Sequence, residues 1–304
     1  MNRRIWLLGL LFVILVFVIS GNLFPFLVFA SIIFALAIHE AGHAVKLIKY
    51  GITIREFGLG IDVISLIKKR PAGPGILTIG PHSLALGTRR IRIPRLVLHP
   101  LLIGAYVDHP ESEREKLDAL PTAAKLEIYS SGAYTNLLMA AILFLMIFWL
   151  LFTLYIAHGI YPSKFLLLHL LAGTVTFAIL VAWRAFFMRI MASLTAVIGT
   201  IALPAIFILL GPAVLTGIIG IVVLAFNAKN IFDVLMIAFA INLSMGIINL
   251  IPLGITDGQQ ILHTLSERVG APPRINLLMR RMGLIMLVVV LAVSIANDLA
   301  TYIF

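Results

Sequence analysis

The sequence has no cysteine and very little charge. Of its 304 residues, 12% are charged and 61% are hydrophobic, and the mean hydropathy is +1.10. Soluble globular domains do not have this composition, so we expect a polytopic helical membrane protein. Because cysteine is absent, the chain has neither disulfides nor thiolate metal sites, and any metal ligands must be histidines or carboxylates.

Acidic residues are also scarce. The chain holds 13 Asp and Glu against 23 Lys and Arg, which gives a net charge of +10. The cations cluster in particular loops, as the positive-inside rule describes for the cytoplasmic loops of membrane proteins. The excess of positive charge therefore favours membrane lipids with anionic headgroups as partners, and we expect no nucleic-acid binding.

The apolar segments divide the chain into three regions. Residues 1–48 hold two apolar runs, which we interpret as the first two transmembrane helices. Residues 49–121 are basic, rich in Gly and Pro, and include the partly alternating runs 52–57 and 90–93, which predict strands. Residues 122–304 hold the remaining apolar helices. The prediction is an all-α polytopic membrane protein with a small β-containing cap on the cytoplasmic side.

The number of membrane crossings depends on the apolar stretch 188–226. It is interrupted by Pro204 and Pro212, and hydropathy leaves open whether it crosses the membrane once or twice. A basic loop follows residue 49, and another is expected around Arg274 and Arg280. Both loops lie on the cytoplasmic side only if 188–226 crosses once net, so we expect about seven transmembrane helices.

A metal-binding motif lies in the second apolar segment. His39, Glu40 and His43 form an H-E-x-x-H pattern. On a helix the two histidines, four residues apart, project from one face and can bind one zinc ion. Glu40 lies close enough to that face to take a proton from a water molecule at the metal. A charged side chain within a membrane segment costs roughly 2.5–3.5 kcal/mol on insertion scales, which favours a functional role for Glu40.

The third ligand is sought among the acidic residues in or beside apolar segments. Asp233 follows Lys229 at a helix start, which a first-turn role explains, and Asp298 is expected to fray into the membrane interface at the last helix turn. Asp257 lies between Thr256 and Gly258, beyond a helix predicted to contain a proline, where the backbone can unwind. A turn or capping role for Asp257 is the alternative. Glu127 begins the third span.

Three motifs, which follow one another along the chain at residues 39–43, 132–136 and 249–258, resemble the site-2 proteases, a family of intramembrane zinc metalloproteases. His39 to His43 is similar to the zinc motif of that family, and residues 249–258 resemble its Asn-x-x-Pro and Asp-Gly signature, with Thr256 where Leu is common. Residues 132–136 are similar to its Gly-Pro-x-x-Asn motif, with Ala133 in place of proline. A weaker likeness covers 102–107. The sequence offers no room for the PDZ-like insert of many relatives.

The resemblance implies a site and an activity. His39, His43 and Asp257 would bind one Zn²⁺ per chain, Glu40 would be the catalytic general base, and Asn136 would contact the substrate backbone or the oxyanion. The implied reaction is hydrolysis of a peptide bond in or next to a transmembrane segment of another protein, in regulated intramembrane proteolysis. The implied location is the cell membrane, with the active site towards the cytoplasm.

Two alternatives stay open at this point. A membrane zinc protease of the prenyl-protein-processing type would take its third ligand from a Glu on a later helix, and Glu267 is the only Glu after residue 127. A transporter or an inactive scaffold would use the buried His and Asp to handle ions. Glu40 argues against this second alternative, because a zinc site without catalysis has no need of that carboxylate.

Overall fold

The computed structural model describes residues 21, 23–61, 77–79, 82–86, 89–99, 101–159, 164–199 and 218–303. The chain forms two compact units, residues 1–120 and residues 121–304. The first expected membrane segment, residues 5–20, lies outside the described residues.

The first unit begins with helix α1 (Phe24–Lys49). Pro25 stands in its first turn, where a missing N–H costs nothing, and Lys46 and Lys49 in its last turn complement the helix dipole. The helix ends at Tyr50, and Gly51 follows with a positive φ of 76°. Only glycine adopts that conformation readily, so the end of the helix is defined by the sequence.

The described part of this unit also contains six strands and a short helix. They are β1 (Glu56–Ile61), β2 (Leu77–Ile79), β3 (His82–Leu86), β4 (Arg89–Ile93), β5 (Arg95–Leu98), β6 (Leu101–Asp108) and helix α2 (Arg114–Asp118). Strands β2, β5, β1 and β6 form one sheet in that order, and β3 pairs with β4 in a second. The strand predicted at 90–93 is confirmed. The one predicted at 52–57 is wrong at its start, because β1 begins only at Glu56.

A buried carboxylate ties three strands of the larger sheet together. Glu56 on β1 accepts hydrogen bonds from Arg95 Nε on β5 at 2.7 Å and from the Tyr106 hydroxyl on β6. The Tyr106 hydroxyl also lies 2.9 Å from His99 Nε2, and the tyrosine ring covers Gly58, where a Cβ atom would lie 2.1 Å from the ring. Burial raises the pKa of Tyr106, and the carboxylate of Glu56 adds to the rise. Tyr106 therefore stays protonated and donates to Glu56.

The second unit is helical throughout its described residues. Its helices are α3 (Thr122–Ala157), α4 (Lys164–Ala182), α5 (Arg184–Gly199), α6 (Ile218–Asn227), α7 (Ile231–Leu250), α8 (Asp257–Arg268) and α9 (Pro273–Tyr302). The long helix α3 is central, because α4, α7 and α8 all pack against it. Arg274 and Arg280, expected in a loop, lie inside α9; the helix starts earlier because Pro273 suits a first turn and arginine favours helix.

Four described helices are long and apolar enough to cross a membrane, namely α1, α3, α7 and α9. Helices α4 and α5 add a fifth crossing if their bent pair is one span. Residues 200–217, within the apolar stretch whose crossings the sequence left open, lie outside the described part of the chain. The expected total of about seven spans therefore stays a prediction.

The bend between α4 and α5 is held by side chains of α3. The two helices meet at 74°, and α5 contains a π-helical turn at Phe187–Met191. The Tyr134 hydroxyl donates to the Leu180 carbonyl at 2.8 Å, and Ser130 Oγ donates to the Met188 carbonyl at 2.9 Å. These two contacts attach both arms of the bend to one helix.

Two acidic residues considered as ligands have structural roles at helix starts. Asp233 Oδ2 accepts from the Lys229 backbone N–H, as expected for a residue at the beginning of a helix. The expectation for Asp298 was wrong. Its side chain is buried rather than frayed, and its Oδ2 accepts from the backbone N–H of Gly220 at 3.1 Å, near the start of α6. A buried carboxylate that satisfies helix N–H groups is stabilised there by the helix dipole.

Two glycines allow α8 and α9 to pack closely on the connection between α7 and α8. A Cβ atom on Gly258 would lie 2.2 Å from the carbonyl oxygen of Leu250, and one on Gly283 would lie 2.6 Å from the carbonyl oxygen of Pro252. Both obstacles are backbone atoms, so no side-chain rotation can relieve the clash. Glycine is required at both positions.

We therefore expect Gly258→Ala to destabilise the protein by at least about 2 kcal/mol, because α8 must move away from the end of α7. Thermal unfolding of the purified protein in detergent measures the effect. Gln260→Ala, an exposed position on the same helix, is the matched control and should unfold like the wild type. An unchanged midpoint for the Gly258 variant would contradict the packing described.

Candidate metal centre

The two histidines of the sequence motif form a close pair on α1. Their Nε2 atoms lie 3.3 Å apart, and the two rings meet edge to face with centroids 5.0 Å apart. Two imidazole nitrogens bound to one tetrahedral zinc ion at ~2.0–2.1 Å would lie about 3.3 Å from each other. The pair therefore has the spacing that two ligands of one ion require. His39 is buried and His43 is half-buried.

Glu40 follows His39 directly on the same helix and is half-buried. Its neighbours along α1 are almost all apolar, which makes a carboxylate at this position costly unless it has a function. Glu40 is a candidate base beside the histidine pair.

Asp257 owes its position to the break between α7 and α8. The sequence predicted a helix that contains Pro252, but α7 ends at Leu250, because the residue before a proline is forced out of the helical region. Ile251 is extended, and Gly254 takes a positive φ of 82°. Helix α8 then starts at Asp257, so this side chain lies at the N-terminal end of a helix.

Thr256 fastens this connection. Its Oγ1 accepts a hydrogen bond from the Leu253 backbone N–H at 3.0 Å and donates to the carbonyl of Ile251. The hydroxyl thus satisfies two backbone groups of a turn that has little regular hydrogen bonding. From the sequence, Thr256 was a departure from the family pattern and a polar residue that could line a water path to the metal. Its hydrogen bonds within the turn were not predicted, although a Thr directly before the Asp was a visible signal.

We expect Thr256→Val, which keeps the shape and removes the hydroxyl, to lower stability by about 1–3 kcal/mol, because the hydrogen bonds of that hydroxyl to the Leu253 N–H and to the Ile251 carbonyl are both lost. Thermal unfolding and zinc content should be measured together, since a loosened turn also misplaces Asp257. Thr264→Val provides the control, because the Thr264 hydroxyl donates to the carbonyl of Gln260, one turn earlier in α8, which is already part of the helix. Equal unfolding midpoints for the two variants would contradict the role given to Thr256.

Three of the predicted residues carry donor atoms that suit a metal ion. His39 and His43 offer imidazole nitrogens on α1, and Asp257 offers a carboxylate oxygen at the start of α8. Two imidazole nitrogens and one carboxylate oxygen form a donor set that zinc accepts in catalytic sites, with a fourth position left for water or substrate. The residues present therefore fit a zinc ion.

Other titratable residues have different partners. Glu267 is the ligand that the alternative protease type would need. It is half exposed, and its carboxylate lies 3.8 Å from Lys125 Nζ and 3.5 Å from His263 Nδ1. Glu127 is buried and paired with Arg189, whose Nε donates to it at 2.8 Å. Both acids are engaged in ion pairs within their own unit.

Asn136 is fully buried on α3. Its Nδ2 donates to Oδ1 of Asn242 on α7 at 3.1 Å. Asn242 was missed in the sequence analysis, although an Asn in an otherwise apolar helix was a visible signal.

Comparison with known proteins identifies a family. The family model described as peptidase family M50 matches residues 27–290. Neither curated proteins nor solved structures gave a match. The matched range contains the H-E-x-x-H helix, the Asn136 region and Asp257, and it covers most of the 304 residues. The chain belongs to peptidase family M50, the site-2 protease family of membrane metalloproteases.

Proposed function

We propose that this protein is a zinc endopeptidase that cuts a peptide bond in or next to a transmembrane segment of membrane-protein substrates. The observation that carries the proposal is the 3.3 Å spacing of the His39 and His43 Nε2 atoms in the H-E-x-x-H helix, in a chain of this family. Glu40 lies between the two histidines in the sequence, and Asp257 is the proposed third ligand. One zinc ion per chain would be held by the two Nε2 atoms and the carboxylate. We assign the biological role to regulated intramembrane proteolysis.

The chemistry assigned to the chain follows from this arrangement. Bound zinc supplies a Lewis acid and lowers the pKa of a coordinated water towards neutrality. Glu40 takes the proton of the attacking water and passes it to the leaving amine, so one carboxylate serves as base and then as acid. We assign to Asn136 a contact with the substrate backbone or with the oxygen that becomes negative in the transition state, to which the Nδ2 hydrogen not given to Asn242 would donate.

A helical substrate must first be unwound, because its carbonyl groups are hidden in its own hydrogen bonds. Unwound backbone in lipid costs several kcal/mol per unpaired group, so the enzyme must pair it again. The β-like sequence of residues 52–60 and 76–93 offers two regions to which the substrate could add as a strand. β1 is ruled out, because β5 and β6 flank it. We propose β2, at the end of its sheet, or the β3–β4 hairpin, as the strand that pairs with the substrate; sealing of the cytoplasmic mouth by the hairpin is the alternative role.

The proposed location is the cell membrane with the active site towards the cytoplasm. Basic residues cluster in the segments after α1 and after α8, and cytoplasmic loops carry such clusters. Transmembrane protein substrates and membrane lipids are the proposed partners. Water would enter from the cytoplasmic side.

The first test removes the base and keeps the ligands. Glu40→Gln should lower the cleavage of a transmembrane-segment substrate in detergent by about 10²–10⁴-fold, because the amide takes no proton from water. Zinc content, measured on the same preparation, should stay at the wild-type level. Cleavage comparable to that of the wild type would reject Glu40 as the base.

The second test separates the two possible third ligands. Asp257→Ala should lose zinc after dialysis against a weak chelator, whereas Glu267→Ala should retain one ion per chain. Elemental analysis of the purified proteins gives the result without an activity assay. Loss of zinc in the Glu267 variant with retention in the Asp257 variant would favour the prenyl-protein-processing type instead.

A further inference from the structure

Helices α3 and α7 approach unusually closely at one point. A Cβ atom on Gly246 would lie 2.6 Å from Leu137 Cγ and 3.1 Å from the carbonyl oxygen of Ala133. The missing side chain lets the two backbones come together, as small residues do between membrane helices. About one helical turn along α7 from Gly246 lies Asn242, opposite Asn136.

The two asparagines are both buried. Asn136 is 0% exposed and Asn242 is 1% exposed, and each lies on a helix of predominantly apolar residues. A polar side chain in such a place must be hydrogen-bonded, or it costs several kcal/mol. The bond from Asn136 Nδ2 to Asn242 Oδ1, at 3.1 Å, joins them.

The direction of this bond is fixed from the α7 side. Asn242 Nδ2 donates to the carbonyl oxygen of Ala238, one turn earlier, at 2.9 Å. A flipped Asn242 amide would place its oxygen against that carbonyl and its two donors against Asn136 Nδ2. Asn242 therefore presents only an acceptor to Asn136, and Asn136 must turn its Nδ2 towards α7.

Stability alone does not require this pair. Replacing both partners of a buried hydrogen bond with apolar groups of similar shape is often nearly neutral, and helix packing at Gly246 already joins α3 and α7. What the pair adds is a single defined orientation of the Asn136 amide.

We propose that Asn242 is a positioning residue for catalysis, which fixes the amide plane of Asn136 so that Asn136 meets the substrate in one orientation. The proposal rests on the role given to Asn136 under the proposed function. Asn242 acts through Asn136 and does not touch the substrate. Displacement of a reacting or stabilising group by about 1 Å can cost 10²-fold in rate, so the effect of losing this support is measurable.

The test is a double-mutant cycle with the full-length protein in detergent and a transmembrane-segment substrate. Asn136→Ala, Asn242→Leu and the double variant are compared with the wild type, with kcat and KM determined separately. Leu matches Asn in size and suits the apolar helix, so it removes the acceptor with little change in packing. Thermal unfolding and zinc content are recorded for every variant, and Ser131→Ala, a buried hydroxyl bonded within α3, is the matched control.

We expect Asn242→Leu to lower kcat about tenfold or more with KM changed less, and to cause no further loss when Asn136 is already Ala. A tenfold loss repeated in the Asn136→Ala background, or an unchanged kcat in a folded Asn242→Leu protein, would overturn the proposal.

Failure of the proposal is distinguishable from failure of the proposed function. If Asn136→Ala leaves kcat unchanged, the role of Asn136 falls and that of Asn242 with it, while the results for Glu40 and Asp257 still decide the zinc chemistry. If Asn136→Ala lowers kcat and Asn242→Leu does not, only the positioning role is lost.

Discussion

The site depends on the distance between two imidazole nitrogens on one helix. Four residues of α-helix place His39 and His43 on the same face, and their Nε2 atoms lie 3.3 Å apart. This separation suits two ligands of one ion. In the proposed site the third ligand must come from another segment, because α1 has no further histidine or acidic side chain once Glu40 acts as the base.

Asp257, whose carboxylate is the proposed third ligand, lies where a helix begins, after a break that ends the helix before it. Pro252 stops α7, Gly254 turns the backbone through a positive φ, and the Thr256 hydroxyl ties the turn before α8 begins at Asp257. Gly258 then lets α8 lie directly on the end of α7. Proline, two glycines and a hydroxyl within seven residues together explain why a short polar segment holds its shape beside apolar helices.

How far the structure follows from the sequence differs between residues, for physical reasons. His39, Glu40, His43 and Asp257 could be proposed as site residues from the sequence alone, because charged and metal-binding side chains are costly in apolar segments. Asp298 was misjudged because its partner, the Gly220 N–H, lies 78 residues earlier in the chain, and no local pattern reveals such a contact.

The role of Thr256 was missed for a related reason. The Thr256 hydroxyl bonds to the backbone of its own turn, and this contact cannot be distinguished from that of any other polar side chain until the path of the backbone is known. Boundaries were predicted less well than elements: β1 and α9 both exist where strands and helices were expected, with different starts.

The bend between α4 and α5 has a consequence for how this protein changes over evolution. The bent segment from Leu180 to Met188 contains no proline, and the hydroxyl groups that hold it belong to Tyr134 and Ser130 on α3. The angle is thus encoded some fifty residues away from where it occurs. A lineage that lost those two hydroxyl groups would lose the hydrogen bonds that attach both arms of the bend to α3, and an alignment of the bent segment alone would give no sign of it.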